Sequence, residues 1–161
     1  MPIVEGFEVR IVNDFAEIAR EFHERINRTV YCIAATIDKR NRPKTRVLHP
    51  IWEGSTGWIW TYRDSPKAAH LVKNPHMSLA YAVEPFKPVY VECTAAWMED
   101  LNEKKRVWEL CAATPPPMGG DPALGFPGHD YTSVGLLKLT PWRIQVYTLG
   151  VGAINWQREI G

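Results

Sequence analysis

The sequence predicts a mainly-β domain in which five or six strands form a closed or partly closed antiparallel barrel, accompanied by a few short helices. Short apolar and β-branched segments alternate with polar or glycine-containing turns, which is typical of consecutive β-hairpins. The length of 161 residues suits one domain, so we expect a single domain over residues 1–161. No Gly-rich dinucleotide-binding motif follows a predicted strand, and this disfavours a doubly wound sheet.

The charge balance argues against a general surface for nucleic acid or membranes. Lys and Arg number 19 and Asp and Glu number 18, whereas such surfaces show a clustered basic excess. The N-terminus lacks a signal-peptide pattern and no apolar stretch reaches about 18 residues, which predicts a cytoplasmic protein. The three cysteines lie far apart among apolar neighbours and form no CxxC pair, so we expect buried thiols without a metal.

The first half of the chain is predicted to hold one helix and two hairpins. The capping-box spacing of Asp14 and Glu17, followed by apolar residues at helical intervals, predicts a helix over residues 14–27. Extended segments are expected over residues 29–38 and 44–52, with a polar turn between them. A second turn leads into a strand over residues 57–63.

The second half begins with a short helix and ends in strands. Ser65 and Pro66 suit the N-cap and first position of this helix, and Asn74-Pro75 should end it. The later elements are strands at 76–83 and 88–98, a helix at 101–113, one or two strands at 134–149 broken near Pro141, and a closing segment at 154–158. Residues 114–133 are rich in Pro and Gly and form a long irregular loop, which is interpreted as a lid, a subunit-contact arm or a surface excursion.

The second hairpin predicts an anion site. Pairing Trp52 with Trp58 sets Arg46 opposite Asp64 and therefore beside the start of the short helix. A guanidinium, the Lys67 ammonium and a helix N-terminus with a Ser hydroxyl would then meet, and together they suit a phosphate monoester. The alternative is a surface Arg46 that pairs with Asp64.

An ordered series of residues resembles a known family. Arg46-Val47-Leu48, Trp60-Thr61, Ser65-Pro66-Lys67, Leu71 and Asn74-Pro75 are similar to the flavin-binding core of the pyridoxamine-phosphate-oxidase-like split barrels. The resemblance implies a six-stranded antiparallel split β-barrel of the FMN-binding type, and a homodimer that binds FMN at the seam between its subunits.

The same resemblance implies roles for ten residues. Arg46, Ser65 and Lys67, with Pro66 between the last two, would hold the FMN phosphate. Val47, Leu48 and His49 would run along the isoalloxazine ring, and Trp60 and Thr61 would contact the ring or the ribityl chain. Trp156 is a candidate to face the flavin of the other subunit, or else to pack in the core or the interface.

The implied function is an FMN-dependent oxidoreductase acting on a small molecule. Pro66 replaces a frequent Arg, and the tail Trp156-Gln157-Arg158 lacks the Arg-x-His pair of the oxidases proper, so oxidation of vitamin B6 compounds is not implied. Two alternatives stay open: a reductase that uses a deazaflavin coenzyme, and a carrier or sensor of flavin or haem without turnover. No motif for another catalytic class occurs, and the catalytic residues stay unassigned. His49 could donate a hydrogen bond to the ring.

Overall fold

The computed structural model describes residues 6–159, and it confirms the predicted mainly-β split-barrel class. Its strands are β1 (Glu8–Val12), β2 (Cys32–Ile37), β3 (Pro43–Leu48), β4 (Ile51–Glu53), β5 (Thr56–Tyr62), β6 (His76–Tyr81), β7 (Val89–Trp97), β8 (Val134–Thr148) and β9 (Gly152–Gln157). Its helices are α1 (Ala16–Thr29), α2 (Pro66–Lys73) and α3 (Leu101–Ala113). None of these helices has the length and apolar character needed to cross a membrane.

The strands form one mixed sheet that curls into the barrel without closing. Its main path runs β1-β9-β8-β7-β6-β2-β3, and β5 pairs with both β4 and β8. The first half of β8 therefore pairs with β5 and the second half with β9. All pairings are antiparallel except that of β1 with β9. Strand β1 was not predicted, because this short edge strand pairs with the far end of the chain.

A break after β3 corrects the predicted second hairpin. Residues 44–52 were expected to form one strand, but β3 ends at Leu48 and β4 begins at Ile51. Pro50 lies between them and has no N–H to donate to a strand partner. Consequently β3 pairs with β2, while β4 pairs with β5. Trp52 lies opposite Gly57 instead of Trp58, and Arg46 lies opposite Ala34 instead of Asp64.

Strand β8 continues through Pro141, where the sequence suggested a possible break. The pairing of β7 with β8 shifts by one residue here, since Glu92 pairs with Arg143 but Cys93 pairs with Pro141. Trp142 is thus the extra residue of a bulge, a position at which proline is tolerated in sheets. The bulge lies where β8 exchanges β5 for β9 as its second partner.

Helix α1 fills one end of the barrel with its apolar face. Asp14 accepts a hydrogen bond from the Ala16 amide at 2.9 Å next to the helix start, but the N-cap residue is Phe15 and the predicted capping box with Glu17 does not form. Ile18, Phe22 and Ile26 recur on one face and are buried in the main core. The apolar face of α1 therefore forms part of the barrel core, and its packing contributes to the stability of the fold.

Helix α3 packs on the outside of the barrel, over β5 and β8. Asp100 caps it by accepting hydrogen bonds from the amides of Asn102 and Glu103. Val107 is fully buried against Trp58 and Leu136. This placement brings the residues that follow the helix next to β5, where a pocket lined mainly by apolar residues opens.

Candidate functional site

A pocket of about 400 Å³ lies where β3 ends and the chain crosses to β4. Its first set of lining residues comes from the sheet and from α2: Tyr31, Val47, Leu48, His49, Ile51, Trp58, Ile59, Trp60 and Lys67. Its second set comes from α3 and the segment after it: Cys111, Met118, Gly119, Gly120, Pro122 and Phe126. The volume falls in the range of small-molecule and cofactor sites.

Five of the ten residues proposed from the sequence line this pocket: Val47, Leu48, His49, Trp60 and Lys67. Arg46 precedes Val47 on β3, and Thr61 follows Trp60 on β5 and is buried. Ser65 and Pro66 form the start of α2, directly before Lys67. The structure therefore brings nine of the ten positions to one region of the molecule.

Trp156 lies elsewhere. Only 3% of its surface is exposed, and its indole N–H donates to the Asn13 carbonyl at 3.0 Å. Its ring packs edge-to-face on Phe15, with 5.5 Å between the ring centres. Of the two roles considered for Trp156, core packing within its own chain is the one that the geometry favours.

Arg46 and Lys67 lie near each other, although the strand register from which this was predicted is wrong. Burial lowers the pKa of Lys67, and the nearby charge of Arg46 lowers it further. Burial also lowers the pKa of Arg46, whose Nη1 donates to the Ala34 carbonyl at 3.3 Å. Within residues 6–159 neither cation is paired with a carboxylate. Two partly buried positive charges without a counter-charge form a region that favours an anion.

Helix α2 is held against β2 by a partly buried hydrogen bond, and this contact helps to position the two cations. Nδ1 of His70 lies 2.8 Å from the Thr36 hydroxyl, which is fully buried on β2. Because β2 is also the partner of β3, the helix start comes to the side of the sheet that carries Arg46. The convergence thus arises from helix packing rather than from strand pairing.

The start of α2 offers fewer donors than the sequence predicted. Ser65 is the N-cap residue, as expected, but its hydroxyl caps no amide and instead lies 3.4 Å from Nζ of Lys67. Pro66 has no N–H, and the Ala68 amide already donates to the Ser65 carbonyl at 3.0 Å. Recognition of an anion here depends mainly on the two side-chain cations and the Ser65 hydroxyl.

His49 and Trp60 each bury a polar atom without a partner. Within the described residues, Nε2 of His49 and Nε1 of Trp60 are shielded from solvent and have no hydrogen bond. Burial lowers the pKa of His49, and the adjacent Met118 backbone opposes this shift to a smaller extent. His49 is therefore neutral at pH 7. Unsatisfied buried polar groups are costly and often mark functional positions.

Acidification is expected to destabilise the protein through His49. Its pKa in the folded state lies below the ordinary value of 6.5, so the unfolded chain binds the proton more readily. Stability is then complete above about pH 6.5 and is lost as the pH falls below that value. Urea unfolding at pH 7.5 and 5.5 should show a smaller loss for His49→Asn than for the wild type. The residual loss is assigned to His23, whose pKa burial also lowers; identical losses in both proteins would refute the role of His49.

Comparison with known protein families shows to which family the chain belongs. A family model described as pyridoxamine 5'-phosphate oxidase matches residues 18–121, which is more than half of the sequence. The chain belongs to this pyridoxamine 5'-phosphate oxidase family. None of the curated proteins matches it significantly.

Several solved structures share the fold of this chain, and their names refer to different ligands. An FMN-binding protein related to pyridoxamine 5'-phosphate oxidase from Nostoc punctiforme is 14% identical, with a TM-score of 0.59 over 80% of this chain and 82% of its own. The heme storage protein HutZ from Vibrio cholerae is 15% identical, with a TM-score of 0.60 over 83% and 98%. An F420 reductase is 15% identical, with a TM-score of 0.56 over 76% and 94%. At these identities the similarity shows the fold alone.

Proposed function

We propose that this chain is a flavin-binding oxidoreductase that holds FMN by its phosphate and transfers hydride to or from a small molecule. The observation that carries the proposal is that Arg46 lies close enough to the pocket-lining Lys67 for its charge to lower the Lys67 pKa, while neither cation has a carboxylate partner in the described residues. The charge of Arg46 disfavours the charged form of Lys67, and an anion bound between the two side chains would offset this repulsion. A phosphate monoester is the anion whose charge and oxygens fit two such donors.

The pocket suits the flavin ring. Its sheet-side surface is formed by Val47, Leu48 and His49 at the end of β3 and by Trp60 on β5. These residues offer flat apolar contacts together with the neutral His49. Lys67 also lines the pocket, so the anion site and the ring site are continuous. Arg46, Ser65 and Lys67 would hold the phosphate and the remaining residues would hold the ring.

The proposed reaction needs few chemically reactive side chains. When bound, the flavin itself supplies the hydride transfer, and the protein contributes binding, orientation and exclusion of water. The buried surfaces of Trp58 and Ile59 exclude water from the inner side of the pocket. This division of tasks explains why the site presents cations and aromatic rings instead of a triad of catalytic side chains.

A second copy of the chain would complete the mouth of the pocket. Ile33 and Val47 pair across β2 and β3, with 47% and 60% of their surfaces exposed, and Tyr31 beside them is 56% exposed. Apolar side chains of this size gathered on one sheet face are typical of protein interfaces. We therefore propose a homodimer in which the second subunit covers this face. Analytical ultracentrifugation is expected to show a dimer for the wild type and a monomer for Val47→Asp. A monomeric wild type would refute the proposal.

Absorbance titration tests the cofactor assignment. The purified protein is expected to bind added FMN and to perturb its visible bands, and bound FMN should be reducible by NADPH or dithionite. The deazaflavin coenzyme F420 is the second candidate, since the same cations would bind its phosphate and an F420 reductase shares the fold. Binding of F420 but not FMN would select that alternative. A shifted Soret band when hemin is added to the protein, without binding of FMN or F420, would select haem. Binding of none of the three would contradict the proposal.

Turnover separates an enzyme from a carrier or sensor. With the cofactor bound, an oxidoreductase is expected to consume NADPH or reduced F420 when a small acceptor is supplied. Bound cofactor that is neither reduced nor reoxidised by any donor and acceptor tested would favour the carrier. The proposal of an oxidoreductase would then be withdrawn, while the phosphate site would be retained.

A further inference from the structure

The side of the pocket opposite the sheet is formed by α3 and residues 118–126 of the same chain. Cys111 contributes from the last turn of α3, and Met118, Gly119, Gly120, Pro122 and Phe126 contribute from the segment after it. We call residues 118–126 the pocket wall. These residues belong to the segment 114–133, which was expected to be a lid, a subunit-contact arm or a surface excursion.

The pocket wall is tied down at both ends. The Gly119 amide donates to the Pro115 carbonyl and the Gly120 amide to the Cys111 carbonyl, each at 3.0 Å. At the other end the Tyr62 hydroxyl donates to the Gly125 carbonyl at 2.9 Å, and Phe126 contacts the Tyr62 ring. A Cβ at Gly119 would collide with the Thr114 carbonyl, so this tight turn requires glycine. These contacts make the segment a built surface rather than a freely extended arm.

The side chains of the pocket wall are apolar where they reach the site. Met118 packs against the main core and lines the same pocket as Leu48, and its backbone lies next to His49. On the sheet side of the pocket, Trp60 packs edge-to-face on Trp108 of α3, with ring centres 5.1 Å apart. An apolar wall opposite an aromatic and aliphatic sheet face leaves a space suited to the two faces of a planar ring.

We infer that residues 118–126 form a same-chain wall against the planar ring of the bound flavin, with Met118 as the positioning residue of that wall. This inference rests on the proposed function. It assigns the contacts of the wall to the ring, whereas Arg46 and Lys67 act on the phosphate. The wall would therefore contribute equally to ligands that share the ring and differ in the phosphate.

Protection of Cys111 tests the inference directly. Cys111 is the half-exposed cysteine and lines the pocket, while Cys32 and Cys93 are buried. Burial raises the pKa of the Cys111 thiol to about 11, so alkylation by N-ethylmaleimide is best followed at pH 8 to 9 by mass spectrometry. Saturating FMN is expected to slow alkylation of Cys111 severalfold. An unchanged rate with FMN bound would overturn the inference.

Substitution of Met118 provides the second test. Met118→Ala is expected to weaken the binding of FMN and of riboflavin by the same factor, about 3- to 30-fold for a partly buried side chain. Leu124→Ala is the matched control, because Leu124 belongs to the same segment but is 90% exposed and does not line the pocket. Unchanged affinity in Met118→Ala, or an effect on FMN alone, would overturn the inference.

The outcomes separate the inference from the proposed function. If the wild type binds no flavin, the proposed function fails and the inference fails with it. If FMN binds but Cys111 stays reactive and Met118→Ala binds normally, only the inference fails. A change in the monomer–dimer equilibrium of Met118→Ala with unchanged ring affinity would identify the segment as a subunit contact instead.

Discussion

Replacing both Arg46 and Lys67 with alanine is expected to weaken FMN binding by about 100-fold to 10,000-fold, because each charge-assisted bond to the phosphate contributes about 1.5 to 3 kcal/mol. Each single variant should lose about tenfold to a hundredfold. Fluorescence titration measures the dissociation constants. Fold should be retained, since neither cation has an ion-pair partner among the described residues whose loss would leave a buried charge.

The control for this prediction is Lys73→Ala, at the other end of the same helix. Lys73 is exposed and lies in the last turn of α2, so the variant changes the net charge as Lys67→Ala does without reaching the pocket. Its affinity for FMN should equal that of the wild type. Equal losses in Lys67→Ala and Lys73→Ala would mean that only the overall charge matters, and the phosphate site would be rejected.

Phe22→Ala is expected to destabilise the protein by about 3 to 5 kcal/mol. Phe22 is fully buried where α1 closes the barrel, and its ring packs edge-to-face on Trp52 and Phe15, with centres 5.2 and 5.8 Å away. Removing it leaves a cavity between the rings of Trp52 and Phe15 that cannot collapse without moving the helix. Urea unfolding monitored by circular dichroism measures the loss, at a temperature low enough for the variant to stay folded.

The same substitution on the surface is the control. Phe86 is 65% exposed in the turn between β6 and β7, and Phe86→Ala should change stability by no more than about 0.5 kcal/mol. A loss in Phe22→Ala as small as this would show that α1 does not support the barrel core. The packing derived for this end of the molecule would then be wrong.

The local elements were predictable because their signals lie within a few residues. Asp14 and Ser65 mark helix starts by their residue type, and both stand at the start of a helix in the structure. The apolar spacing of Ile18, Phe22 and Ile26 gave the buried face of α1. Fold class followed from the succession of such elements, since consecutive hairpins leave few ways to bury their apolar faces.

The errors and omissions concern contacts between distant parts of the chain. The proline that interrupts the strand after Leu48 stood in the sequence, and its missing N–H could have indicated the break. In contrast, no local signal showed that Glu8–Val12 pairs with Gly152–Gln157, or that Met118 lines the same pocket as Leu48. The meeting of Arg46 with Lys67 was expected for the wrong reason, since it depends on the contact between Thr36 and His70.

The relative affinity of the wild-type protein for FMN and riboflavin tests the phosphate site most directly. The two ligands share the ring and the ribityl chain, so their difference isolates the phosphate. Because Arg46 and Lys67 lie near each other, each can make a charge-assisted contact with the phosphate. FMN is therefore expected to bind at least about 100-fold more tightly than riboflavin. Equal affinities for the two ligands, measured at the same pH and salt concentration, would contradict the account.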